Sequence, residues 1–175
     1  MRQALVIVGV VILAGVVIDA QSNGQANRFS TRLESYQEVP AVSSPGVGTF
    51  SAHIDDSAQA IDWELEFEGL DGDITMSHIH FGQPGVSGGI MIWLCKTTQT
   101  APAGTATCPA GKAGRLSGTI GAADVAGPTS QLVTAGQFDE AVAAIHAGIA
   151  YVNVHTTLVG SGEIRGQLRA GDGHK

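Results

Sequence analysis

The chain has 175 residues, 43% of them hydrophobic and only 14% charged, and a formal net charge of −7. That length suits one domain with a two-layer core. Nine Lys and Arg residues scattered through an acidic chain leave no electrostatic footprint for nucleic acid or anionic lipid, and 24 glycines fit short strands and tight turns better than long surface helices.

The N-terminus differs in composition from the rest. Met1-Arg2 precedes an unbroken apolar run over residues 4–18, which Asp19-Ala20-Gln21 closes. One basic residue, a short apolar run and a small residue at its end read as a secretory signal over residues 1–20, cut after Ala20. A short membrane anchor is the alternative, although the run falls below the roughly 20 apolar residues that a spanning helix needs. Residues 21–30 then form a flexible polar leader, residues 31–170 the domain and residues 171–175 a polar tail. An exported chain of this kind resides in the periplasm or outside the cell, in or near the envelope, with no membrane insertion of the mature part.

The domain reads as a series of short strands. The first spans 29–36, and a loop over 37–46 holds Pro40 and Pro45. A second strand covers 48–54. Residues 61–67 give the clearest alternation: Ile61, Trp63, Leu65 and Phe67 face a core, while Asp62, Glu64, Glu66 and Glu68 form a carboxylate row in water. Asp71-Gly72 signals a tight turn, so the strand at 74–81 is expected to form a hairpin with 61–67. A Gly/Pro loop follows at 82–89, then strands at 90–95 and 115–120 and a turn at 122–127. Phe138, Val142 and Ile145 recur at helical spacing over 138–147, and Gly148 ends the helix. Strands at 149–156 and 163–169, joined by a glycine-rich turn, close the chain. About eight short strands with one short helix indicate an all-β Greek-key sandwich or barrel.

Cys95 and Cys108 are the only cysteines. Export makes their oxidation the default, and nothing at metal-ligand spacing accompanies them, so a disulfide across one long loop is expected.

Among six histidines, His53, His146 and His174 read as structural or peripheral. His78 and His80 lie two apart on one strand, so both leave the same face. Tyr151, Asn153 and His155 likewise share a face of the 149–156 strand. Were the two strands neighbours, His78, His80 and His155 would converge, and three neutral imidazoles can ligate copper or zinc. Asn153, Glu163 and Asp73 could then fix the ring orientations. Paired strand histidines also serve simply as hydrogen-bond partners of backbone or carboxylate, and spacing does not separate the two readings. Arg165 could pair with Glu163 or cap His155 or Tyr151, giving a structural polar face of Tyr151, Asn153, Glu163 and Arg165. An arginine beside a metal could instead guide a small anion. No nucleophile elbow, phosphate loop or flanked carboxylate pair is present, so no catalytic residue is assigned.

Four segments together resemble the CHRD (chordin-type) domain: Glu38-Val39-Pro40, Ser77-His-Ile-His80-Phe-Gly82, Ile145-His-Ala-Gly148, and Tyr151–Thr156 with Gly162–Leu168. The resemblance runs from about Arg32 to Leu168. Ala41 stands where the family often has a second proline, and Gly160-Ser161 replaces its usual Pro-Gly; both are loop changes. The resemblance implies an extracellular, immunoglobulin-like β-sandwich and no particular activity; the motif set together with the missing catalytic constellation makes the expected function an exported module that binds an extracellular protein or envelope component without catalysis. A looser likeness exists to copper-zinc superoxide dismutase, whose sandwich also carries a His-X-His strand. Metal handling or redox chemistry at the three histidines is therefore the alternative function, although no zinc-loop cluster accompanies them.

Overall fold

The computed structural model describes residues 27–171. The secretory-signal reading, most of the leader, the tail and His174 lie outside the described residues. Nine strands occur within the described range: β1 (Arg28–Glu34), β2 (Val47–Asp55), β3 (Ala60–Glu68), β4 (Ile74–Phe81), β5 (Gly89–Lys96), β6 (Gly114–Ile120), β7 (Ala150–Thr156), β8 (Ile164–Gln167) and β9 (Arg169–Ala170). One α-helix, α1 (Phe138–His146), lies between β6 and β7. The expected strand at 163–169 is divided at Leu168, which is fully buried between β8 and β9.

All pairings between these nine strands are antiparallel, in the order β5-β4-β7-β8-β1-β2-β3-β6, with β9 on β1. The joint between β8 and β1 is narrow, a single pair at Glu34 and Arg165. The sheet curls there, so β5-β4-β7-β8 and β1-β2-β3-β6 become two layers of a sandwich. The alternation seen in the sequence supplies both inner faces. Ile61, Trp63, Leu65 and Phe67 are buried from β3, and Ile79, Ile92, Val152 and Val154 from the other layer. Each fully buried Leu, Ile or Phe contributes about 1.5–3 kcal/mol relative to exposure. The β3 carboxylates stay outside the core, where Glu64 pairs with Arg115 at 2.5 Å. Helix α1 buries Phe138, Ala141, Ala144 and Ile145.

Two expectations are corrected. The first strand ends at Glu34, and Ser35–Gln37 turn as a 3-10 segment. No hairpin forms at Asp71-Gly72, because β2 and β6 occupy both edges of β3 while β4 pairs with β5 and β7 in the other layer. Residues 69–73 are a crossover between layers. Leu70 anchors it in the core, and the Glu163 carboxylate accepts the Asp71 N–H at 2.6 Å and the Gly72 N–H at 3.3 Å. Local turn chemistry is silent about which edges a strand has left to offer.

Candidate metal centre

The β4–β7 pairing sets His78 opposite Asn153, His80 opposite Tyr151 and Met76 opposite His155. In an antiparallel ladder opposed residues leave the same face. That face is the outer one of its layer, since Ile79, Val152 and Val154 point into the core. Loops cover it, and His78, His80 and His155 are all buried.

The three ring nitrogens lie within 4.8 Å of one another. His80 Nδ1 stands 2.9 Å from Gly88 O, and His155 Nδ1 stands 3.0 Å from Gly160 O. A carbonyl only accepts, so His80 Nδ1 carries the proton and its Nε2 presents a lone pair, whereas His155 meets an oxygen acceptor on each side, Gly160 O at Nδ1 and Asn153 Oδ1 at Nε2. His155 Nε2 lies 3.1 Å from His78 Nδ1 and 3.0 Å from Asn153 Oδ1. His78 Nε2 and His80 Nε2 are buried with no partner. Such orphans are uncommon in native structures and call for an explanation.

The electrostatics keep all three rings neutral. Burial, aided by the neighbouring imidazoles His155 and His80, drives His78 down to about 2. Burial also lowers His80 to about 4, against the raising effect of the hydrogen bond it donates to the Gly88 carbonyl. His155 is lowered too, again by burial. Neutral imidazole is the metal-binding form.

A stack of side chains braces the rings. His80 lies parallel to Tyr151, with centroids 4.7 Å apart and planes 4° off. The Arg165 guanidinium sits 3.4 Å from the Tyr151 ring centroid, and its Nη2 donates to Gln83 O and Val86 O, at 3.3 and 2.9 Å. Trp93 meets His78 edge-on at 4.2 Å. Arg165 therefore caps Tyr151 and clamps the 82–88 loop that carries the Gly88 carbonyl.

The remaining polar residues divide. Asn153 belongs to the cluster through His155. Glu163 does not pair with Arg165. Its carboxylate receives Ser44 and Thr156 hydroxyls at 2.6 Å each in addition to the crossover N–H groups, and those donors hold it below the ordinary range although burial pushes the other way. Asp73 is exposed, and its backbone N–H bonds Thr157. Cys95 and Cys108 are joined in a disulfide.

Sequence reading assigned no site role to Glu38, Trp93 or the two loop carbonyls. Glu38 is buried, with Oε1 unpartnered. Burial raises its carboxyl to about 7, overcoming Arg165 and hydrogen bonds from the Val39 N–H and the Asn153 amide. The only sequence signal was its place in the Glu38-Val39-Pro40 segment. The carbonyls carried none, since every residue has one.

The CHRD domain family matches the chain over residues 29–168. No curated protein and no solved structure matches it.

Proposed function

The chain belongs to the CHRD domain family, and from that premise we propose that it is an exported binding domain whose ligand is a copper or zinc ion held by His78, His80 and His155. One observation carries this reading. Two rings are held at Nδ1 by backbone carbonyls, and one nitrogen from each of the three rings lies within 4.8 Å of the other two. Donation of the far N–H to a backbone carbonyl is how proteins orient metal-ligating histidines. Two nitrogens sharing one ion through bonds of about 2.0–2.1 Å stand roughly 3–3.4 Å apart, and His78 Nδ1 and His155 Nε2 stand at 3.1 Å. The leader sequence supports export, and the disulfide is compatible with it. No helix among the described residues is long and apolar enough to cross a membrane.

Metal analysis of protein purified without chelator tests this. The expected result is stoichiometric copper or zinc, and a rise in melting temperature on adding either ion to the apo protein. His78→Ala with His80→Ala should abolish both. Absence of metal together with no thermal shift would overturn the reading.

A second reading, docking of an extracellular protein or envelope component, would draw on the large apolar side chains exposed on loops and turns, Tyr36, Val86, Leu132 and Leu158. Capture of a specific partner that Leu132→Ser and Leu158→Ser variants fail to bind would support it.

A further inference from the structure

We propose that the site is built for monovalent copper, with the Met76 thioether as a soft fourth donor beside the three histidines. This rests on the metal reading above and names the ion and its oxidation state.

Charge is the first reason. Among the described residues, no carboxylate or thiolate joins the cluster. The cysteines are tied in their disulfide, and the Glu163 carboxylate is engaged by four donors elsewhere. Arg165 against Tyr151 and Lys96 opposite Met76 set cationic groups on two sides of the histidine face, and the buried Glu38 carboxyl meets Asn153 and Arg165 rather than a histidine. Desolvating an ion costs free energy that grows with the square of its charge, so a bare dication here meets about four times the penalty of a monocation. A wholly neutral donor set suits the monocation.

Donor softness is the second reason. The β4–β7 ladder is irregular between Ile74 and Met76, one residue being passed over. Without that slip Thr75 would face His155; with it Met76 does, on the face that carries His78 two residues on. A bulge that re-aims a side chain beside a site is a recurrent device. The residue it delivers bears a thioether, a donor that selects Cu(I) and that zinc scarcely uses. Methionine is also only partly buried here, although its neighbours His78 and Ser77 are buried.

The test uses the mature chain under anaerobic conditions. Cu(I), kept reduced with ascorbate, is titrated in competition with a chromophoric Cu(I) chelator; Cu(II) and Zn(II) are titrated against their own competitors. Trp93, beside His78, supplies a fluorescence readout. Cu(I) should bind at least about a hundredfold more tightly than Zn(II) and more tightly than Cu(II). Met76→Leu, a volume-conserving change, should weaken Cu(I) binding by about tenfold and leave Zn(II) binding within about twofold. X-ray absorption should show a sulfur neighbour of copper that this variant lacks. Zn(II) or Cu(II) binding as tight as Cu(I), or Cu(I) binding unchanged in Met76→Leu, overturns the proposal and leaves the metal reading standing. Failure of all three ions to bind overturns both.

Discussion

Glu38 stores a pH-dependent destabilisation that one isosteric substitution should release. Its carboxyl is buried and raised from 4.5 to about 7. A carboxyl with a raised native value binds its proton more tightly folded than unfolded. Its contribution is therefore complete below about pH 4.5 and is lost as pH climbs through 7. Each tenfold displacement of the proton equilibrium is worth about 1.4 kcal/mol, so ionised Glu38 costs about 3 kcal/mol of native stability once pH exceeds 8. Glu38→Gln keeps the shape and removes the charge. Guanidinium unfolding of both apo proteins should give nearly equal stabilities at pH 5, and a variant more stable by about 3 kcal/mol at pH 8.5. The three histidines titrate with the opposite sign but in both proteins, so they cancel in the difference. A difference that stays constant between pH 5 and 8.5 would refute the burial argument.

Three further outcomes follow from the same geometry. The native histidines bind fewer protons than the unfolded chain does, so apo stability should fall as pH drops from 6.5 through about 4 and toward about 2. Urea midpoints at pH 7 and 4 measure the loss, which His78→Gln/His80→Gln/His155→Gln should largely remove. Replacing both Cys95 and Cys108 with serine opens a link that closes residues 13 apart, and should cost about 3 kcal/mol in unfolding experiments. Gly162→Ala should cost at least about 2 kcal/mol and shift the Asn153 amide resonance, because φ is +123° there and a Cβ would press on the Glu38 carboxylate, with Asn153 Nδ2 2.8 Å away.

Much of the site was legible because the pleat is a local rule. A period of two placed His78 with His80, and Tyr151 with Asn153 and His155, before any pairing was known. The β3 alternation likewise assigned its core and solvent faces. The expected hairpin at Asp71-Gly72 failed because a turn signal carries no information about edge occupancy; β2 and β6 had already taken both sides of β3. Glu163 looked like a partner for the histidines or for Arg165, and instead holds the layer crossover.

Composition and periodicity by themselves determined an all-β chain with one short helix and two strands each bearing a polar stripe. These properties depend on neighbours within a few residues. Only the tertiary structure decided that the two stripes lie side by side, that Gly88 and Gly160 lend carbonyls to orient two rings, that Met76 slips into register with His155, and that Glu38 is buried next to Asn153. Those contacts join segments from opposite ends of the chain. The adjacency that joins them is selected by packing two sheets over one core, and no local residue pattern encodes it.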